Sequence, residues 1–155
     1  MSLEKAIAHL SEYGLQDRIR LFETSSATVA LAAEALGTKE ERIAKTLSFM
    51  TPEGPILIVA AGDAKIDNKK FKARFLTKAR MIPCEDVESV IGHGVGGVCP
   101  FGVNVGVSVY LDRSLMRFDV VYPAAGTSAS AVELKVEELE AASRSVGWVD
   151  VTVIP

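Results

Sequence analysis

Hydrophobic positions change their period several times along the chain, and each period predicts one kind of element. Leu3, Ala6, Ile7 and Leu10 recur at helical spacing, which predicts an opening helix that ends before Gly14. Similar spacing predicts helices over residues 27–36, 68–75, 86–91 and 136–143, and a capping box of Thr38 and Glu41 predicts a short helical turn. Alternation and short apolar runs predict strands over residues 18–23, 43–50, 55–61, 105–111, 118–122, 131–134 and 148–153.

The order of these elements predicts an α+β fold. Six or seven strands mix irregularly with about five short helices, and a hairpin turn over residues 51–54 joins two apolar strands. A dinucleotide-binding fold needs glycines directly after its first strand, whereas the glycines here cluster in the second half of the chain. No internal repeat or linker is visible, so we expect one domain over residues 1–155.

The composition is that of a globular protein. Apolar residues make up 48% of the 155 positions, enough to build a full core. The longest apolar runs are far shorter than the roughly 20 residues that cross a bilayer, and the start of the chain does not resemble a signal peptide. We therefore expect a cytoplasmic protein that does not associate with membranes.

Charge is distributed unevenly. The net charge is −3, but residues 65–80 contain seven cations and one acid, which leaves −9 on the remainder. A basic segment on an acidic body can contact a polyanion at one place. The alternative is a solvated helix face with no partner.

The cysteine and histidine content excludes the usual metal sites. Cys84 and Cys99 are the two cysteines and His9 and His93 the two histidines, at spacings that do not supply a zinc ligand set. Serine-hydrolase elbows, Walker loops, zinc-peptidase motifs and calcium loops are missing from the sequence. We expect free thiols and no metal.

A glycine-rich loop is the first candidate for a site. Residues 92–102 contain five glycines and Pro100, which restricts its own φ and the preceding residue. Successive N–H groups of such a loop can point into one concavity that suits a carboxylate, a phosphate or the oxyanion of a reacting ester. A long turn in which glycine only relieves strain is the alternative.

Lys45 is the second candidate. With the period of a strand it shares a face with Ile43 and Leu47, where a cation is costly unless its ammonium meets an anion or reaches water. His93, between two glycines, is either a base or a residue that caps the loop. Asp112 at the end of a strand is either a site carboxylate or an N-cap.

Three segments occur in a fixed order: residues 42–47 (Arg-Ile-Ala-Lys-Thr-Leu), the strand 56–61 followed by Gly62 and Asp63, and the loop 96–102 (Gly-Gly-Val-Cys-Pro-Phe-Gly). Together with Asp112 after a Val-Tyr-Leu strand, they resemble the YbaK-type aminoacyl-tRNA deacylases, free-standing relatives of the editing domain of bacterial prolyl-tRNA synthetases. The resemblance implies a mixed, mostly antiparallel, curved sheet with short helices around it.

The resemblance also implies an activity, namely hydrolysis of the ester between a small amino acid (Ala, Cys, Ser or Thr) and the terminal adenosine of a tRNA such as tRNA-Pro. It implies no cofactor. Lys45 would be the residue most needed, and the residues around the aminoacyl group would be Gly96, Gly97, Val98 and Pro100. Further substrate contacts would come from Thr46, His93, Cys99, Phe101, Gly102 and Asp112. The basic residues Lys65, Lys69, Lys70 and Lys72 would contact the acceptor end of the tRNA.

An aminoacyl ester is already activated, so orientation and charge stabilisation can supply much of the rate. Loop N–H groups would polarise the carbonyl, Lys45 would hold the ester or a phosphate, and a ribose hydroxyl would assist the attacking water. Two other functions stay open: a non-catalytic module that binds a small amino acid or a tRNA end, and an inactive partner of an aminoacyl-tRNA synthetase.

Overall fold

A long antiparallel hairpin forms the centre of the structure, a computed structural model that describes residues 2–25 and 28–155. The helices are α1 (Ser2–Ser11), α2 (Val29–Leu36), α3 (Asn68–Phe75), α4 (Cys84–Ile91) and α5 (Val136–Ala142). The strands are β1 (Ile19–Leu21), β2 (Ile43–Thr51), β3 (Gly54–Ala61), β4 (Lys65–Ile66), β5 (Ser108–Asp112), β6 (Val120–Pro123), β7 (Ser130–Val132), β8 (Leu134–Lys135), β9 (Gly147–Val149) and β10 (Thr152–Val153).

Six strands of the described residues form the main sheet in the order β8-β6-β2-β3-β5-β9. The predicted α+β fold with a mixed sheet is confirmed. The β2–β3 and β6–β8 pairings are antiparallel, but β2–β6, β3–β5 and β5–β9 are parallel. Antiparallel pairing is therefore in the majority only when the two small sheets, β1–β7 and β4–β10, are counted with it.

The sheet separates two apolar clusters, because successive strand residues point to opposite faces. On one face Ala44, Leu57 and Val59 pack with α1, α4 and the glycine-rich loop. On the other face Phe49 and Ile58 pack against α3 and the end of the chain. The hairpin between these clusters thus holds β2 in a fixed position.

Local signals account for several helix ends. Thr28 caps α2 by accepting a hydrogen bond from the Leu31 N–H, and Gly37 ends the helix at a φ of 68°. Asp67 caps α3 in the same way through the Lys70 N–H. The predicted second helix began at residue 27, which lies outside the described residues.

Several predictions were wrong in detail. The predicted strand over residues 131–134 is divided into β7 and β8, which belong to different sheets, and the predicted strand over residues 118–122 begins only at Val120. The short 3₁₀ turn Glu40–Arg42 exists, but its N-cap is Lys39 and no side chain caps it, so Thr38 and Glu41 form no capping box. The predicted strand over residues 105–111 begins only at Ser108. The predicted last strand is divided into β9 and β10, because the Val151 N–H is directed to the buried Asp112 carboxylate instead of a sheet neighbour.

Candidate active site

A pocket of about 350 Å³ opens at the edge of β2. Beyond Ala44, the β2–β6 pairing ends, and further along Ser48 and Met50 hydrogen-bond to the segment 80–82. Between β6 and the segment 80–82, the edge of β2 from Lys45 to Leu47 is unpaired and faces the pocket. Helices α2 and α4, the loop residues Gly96 and Val98, and the β7 residue Ala131 supply the other walls.

Lys45 lines this pocket, and its ammonium is held by main-chain carbonyls. It donates hydrogen bonds to the carbonyls of Gly62, at 3.3 Å, and Ala64, just after β3. An ammonium has three donors, so one direction is left for another acceptor. Burial lowers the pKa of Lys45, while the nearby Asp63 carboxylate opposes that shift and Lys65 adds to it.

The turn that holds Lys45 is itself fixed by an ion pair. Both oxygens of Asp63 accept hydrogen bonds from the Arg117 guanidinium, at 2.6 and 3.1 Å. This contact lowers the pKa of Asp63, which keeps a negative charge beside Lys45. Gly62 completes the turn, since a Cβ there would lie 2.0 Å from the Glu40 carbonyl oxygen. The position of the ammonium is therefore set by backbone packing.

Two hydroxyl groups on β2 also belong to the pocket wall. Thr46 and Ser48 alternate with Lys45 and Leu47, so they lie on the opposite face of the strand, and both line the pocket. The Thr46 Oγ1 is buried and has no hydrogen-bond partner in the described part of the chain. Ser48 was not a sequence candidate, although its spacing of two residues from Thr46 could have indicated it.

The glycine-rich loop contributes less to the pocket than its sequence predicted. Gly96 and Val98 line it, but Gly97 packs against the backbone at Gly126, and its N–H donates to the Gly94 carbonyl at 3.0 Å. Pro100 and Gly102 border a different cavity, of about 490 Å³, on the far side of the loop. The structure therefore does not bring residues 96–102 together around one concavity.

His93, Cys99 and Phe101 are fully buried beneath the loop and do not line the pocket. The His93 Nε2 lies within hydrogen-bond distance of the Phe101 carbonyl oxygen, and since a carbonyl only accepts, this nitrogen carries the hydrogen. Burial lowers the pKa of His93 and raises the pKa of the Cys99 thiol to about 12. Neither group is poised as a base or nucleophile for a substrate in the pocket.

His9 connects α1, the loop and the end of α5. Its Nε2 donates to the Ala142 carbonyl at 2.7 Å, and its Nδ1 accepts from the Gly102 N–H at 2.8 Å. Protonation of Nδ1 would place two hydrogens against each other. Burial lowers the pKa of His9, in agreement with this arrangement.

We expect the stability of the protein to fall at mildly acidic pH. Both imidazoles have a lowered pKa in the folded state, so between the ordinary histidine pKa of about 6.5 and the lower folded values the unfolded chain binds more protons. The free energy of unfolding should then decrease by up to about 1.4 kcal/mol per pH unit for each histidine. Urea unfolding at several pH values measures the slope, and NMR titration of the two rings identifies its source. A ring that titrates above pH 6.5 in the folded protein would contradict the assignment.

Asp112 lies in the core and is fully buried. Its carboxylate accepts hydrogen bonds from the N–H groups of Ser114 and Val151 and from the Thr152 hydroxyl. These contacts join the end of β5 to the end of the chain. The structure therefore places Asp112 away from the pocket, in the N-cap position that was its alternative interpretation.

The basic segment lies on and around α3. Lys69, Lys72 and Lys78 are exposed and line a surface cavity of about 390 Å³. Lys65 is exposed on β4, but Lys70 is engaged by the Asp150 carboxylate at 3.1 Å and the Thr152 carbonyl at 2.8 Å. The four predicted lysines are thus neighbours in the fold, and three of them present free surface.

Among residues 2–25 and 28–155, no cluster of three or more His, Cys, Asp or Glu side chains is arranged to hold a metal ion. In the same residues, no helix is long and apolar enough to span a membrane.

The family model and the similar proteins that match this chain indicate the same family. The model of the aminoacyl-tRNA editing domain matches residues 23–142. The chain is 51% identical to the uncharacterized protein YwhH of Bacillus subtilis (strain 168), over 97% of both chains. It is 27% identical over 124 residues to a proline–tRNA ligase of Streptococcus equi subsp. equi, and this match covers 77% of the chain but 19% of the ligase.

A solved structure has the same architecture over its full length. It is that of a proposed trans-editing enzyme for prolyl tRNA synthetase, with a TM-score of 0.88 and 26% sequence identity. The match covers 98% of the chain described above and 97% of the other.

Proposed function

The chain belongs to the aminoacyl-tRNA editing domain family, and on that premise we propose that it is a free-standing deacylase of misacylated tRNA. The reaction is hydrolysis of the ester that joins a small amino acid to the 3′-terminal ribose. The tRNA would be tRNA-Pro or a related one, since relatives of this chain are proline–tRNA ligases and a proposed trans-editing enzyme for prolyl tRNA synthetase.

The observation that supports this proposal best is the anchored Lys45 at the open edge of β2. Its ammonium is fixed by two carbonyls and keeps one donor direction free, and Lys45 lines a pocket of about 350 Å³, a volume at the lower end of the range for small-molecule sites. A positive charge in a partly dehydrated site stabilises a developing oxyanion more strongly than it would in water. We assign to Lys45 the role of holding the ester carbonyl or a neighbouring phosphate.

The geometry favours orientation and electrostatic stabilisation over covalent catalysis. The Cys99 thiol of the loop is buried with a raised pKa, and the Ser130 hydroxyl of the pocket wall is engaged by three main-chain groups. Cys84, Thr46 and Ser48 also line the pocket, but neither histidine lines it to act as their base. Water is therefore the proposed nucleophile. Its oxygen bonds to the ester carbonyl carbon, the bond from that carbon to the ribose oxygen breaks, and a neighbouring ribose hydroxyl relays the proton of the water to the departing oxygen. Gly96 and Val98 line the pocket, and we assign their N–H groups as the loop donors to the ester carbonyl. Gly97, Pro100 and Gly102 would act only by shaping the loop.

The experiment that tests this function is a deacylation assay with tRNA-Pro charged with alanine, cysteine, serine, threonine or proline. We expect hydrolysis of at least one of the small misacylated esters and protection of prolyl-tRNA. Tight binding without hydrolysis would favour a non-catalytic module instead. Activity that appears only after a synthetase is added would indicate an obligatory partner.

The lysines around α3 are proposed to bind the phosphates of the acceptor end. Lys69, Lys72 and Lys78 form one exposed basic surface, and Lys65 lies on the adjacent β4. Phosphate contacts release counterions, so such binding weakens as salt increases. Lys70 is expected to stabilise the fold and not to bind phosphate, because its ammonium already contacts Asp150 and Thr152.

We expect the double substitution of Lys69 and Lys72 by Ala to raise KM for aminoacyl-tRNA by about 5–10-fold at low salt. It should also reduce the slope of log KM against log salt by about one to two. Each lost phosphate contact lowers that slope by roughly 0.7 to 0.9. KM measured from 50 to 300 mM KCl (roughly the range over which phosphate contacts weaken) checks this. Lys70→Ala is the matched control, and an equal loss of salt dependence in that variant would contradict the assignment.

A further inference from the structure

The polar side chains of the pocket wall differ in whether the protein itself satisfies them. The Thr28 hydroxyl caps α2, the Ser130 hydroxyl bonds to Ala125 and Thr127, and the Tyr122 hydroxyl donates to Glu133. Thr46 and Ser48, which we call the hydroxyl pair, make no side-chain hydrogen bond with any other described residue. Among the described hydroxyl groups of the pocket wall, the two without a protein partner thus lie on alternate residues of β2.

An unpaired hydroxyl in an apolar wall lowers the free energy of unfolding. Burying one without a partner disfavours the fold, and Val has nearly the shape of Thr without that cost. The Thr46 Oγ1 has this environment, and Ser48 is only 6% exposed beside it. A ligand that hydrogen-bonds to these groups would remove the penalty each time it binds.

The rest of the wall indicates what that ligand carries. Most of the residues around the hydroxyl pair are apolar, among them Ala44, Leu47, Ile82, Val87, Val98 and Ala131. Such a wall accepts an alanyl group as readily as a larger one, and it cannot by itself favour a side chain that bears a hydroxyl. The pair supplies that preference, because its two residues alternate along β2 and their side chains point to the same face of the strand.

We propose that the hydroxyl pair makes this protein selective for amino acids with a hydroxyl side chain, serine and threonine, over alanine and cysteine. This inference rests on the proposed deacylase function and adds the specificity of the same pocket. Ser48 bonds to the substrate hydroxyl directly. Thr46 joins after rotation about χ1, which exchanges its methyl group and its hydroxyl at the pocket wall. Both residues determine specificity, and neither takes part in bond cleavage.

The test compares kcat/KM for seryl, threonyl, cysteinyl and alanyl esters on the same tRNA. We expect the seryl and threonyl esters to be preferred over the alanyl ester by at least about tenfold, which corresponds to one good hydrogen bond. Cysteine is nearly isosteric with serine, but its thiol is a weaker donor than a hydroxyl. We therefore expect kcat/KM for the cysteinyl ester to lie between the values for the seryl and the alanyl ester. Ser48→Ala should lower kcat/KM for the seryl ester by about tenfold more than it lowers kcat/KM for the alanyl ester.

Thr46→Val supplies a second readout that does not depend on activity. We expect its melting temperature to rise by about 2–4 °C, since it removes an unsatisfied hydroxyl, while its seryl-over-alanyl ratio falls. Thr51→Val is the matched control on the same strand. The Thr51 hydroxyl donates to the Gly54 carbonyl at 2.8 Å, so this variant should lose stability and keep the substrate ratio.

Failure of this inference and failure of the deacylase function give different results. Hydrolysis with the alanyl ester preferred, or a seryl-over-alanyl ratio unchanged in Ser48→Ala, would overturn the selectivity and leave the deacylase function intact. If no ester is hydrolysed, the binding of amide-linked 3′-seryl- and 3′-alanyl-adenosine decides the matter. Tighter binding of the seryl compound that depends on Ser48 would support the inference, and equal binding would overturn it.

Discussion

Replacement of Lys45 by Ala is expected to lower kcat/KM for tRNA deacylation by about 10²–10³-fold, the usual cost of removing one donor to a developing oxyanion. Among the described residues Lys45 is the one cationic residue that lines the pocket, and the Gly62 and Ala64 carbonyls hold its ammonium in place. Most of the loss should appear in kcat if Lys45 acts on the ester. It should appear in KM if Lys45 binds a phosphate.

The fold should survive this substitution. Ala removes a partly buried cation, and the turn after β3 keeps its ion pair between Asp63 and Arg117. Lys39→Ala, an exposed lysine shortly before β2, is the matched control and should keep full activity. Activity of Lys45→Ala within fivefold of the wild type, with the wild-type melting temperature, would contradict the proposed role.

The pH dependence of the same residue has a definite sign. Because burial lowers the pKa of Lys45, the folded protein loses this proton at a lower pH than the unfolded chain. Activity that depends on the ammonium should therefore decline, as pH rises, before the ordinary lysine pKa of about 10.4 is reached. Over the same interval the contribution of Lys45 to the free energy of unfolding increases with pH, since the unfolded chain binds more protons.

Replacement of Gly97 by Ala is expected to destabilise the protein by about 2–4 kcal/mol. A Cβ at this position would lie 2.5 Å from the Gly126 carbonyl oxygen and 2.7 Å from the Thr127 Cα. Gly126 cannot retreat, since its own Cβ position is 2.4 Å from the Ser2 carbonyl oxygen. Three backbone segments are therefore stacked in contact, and the loop that bears Gly96 and Val98 would have to move.

Gly94→Ala is the matched control in the same loop. Its nearest contact would be the Glu88 carboxylate at 3.5 Å, an ordinary van der Waals distance, so we expect a change within about 0.5 kcal/mol. Urea unfolding of both variants measures the difference, and deacylation assays show whether Gly97→Ala also displaces the pocket wall. Equal stability of the two variants would show that the close backbone packing at Gly97 is not required.

The sequence determined most of the secondary structure, because helices, hairpins and turns depend on residues close together in the chain. The apolar period, the Asp67 cap and the αL glycine at position 37 define α2 and α3 locally. Residues 43–61 read as two strands and a turn for the same reason. Lys45 could be singled out from its apolar strand, and the resemblance to tRNA deacylases gave it a substrate.

Tertiary structure decided which residues share the pocket. Ser48, Ile82 and Ala131 meet there only because the edge of β2 is left open between β6 and the segment 80–82. The same packing directed His93 and Asp112 into the core, where main-chain groups satisfy them. Neighbours across a sheet edge come from distant parts of the chain, so local spacing carries no information about them. The sequence around a polar residue is the same whether the fold directs its side chain into the core or toward a substrate, so the sequence alone could not distinguish the two.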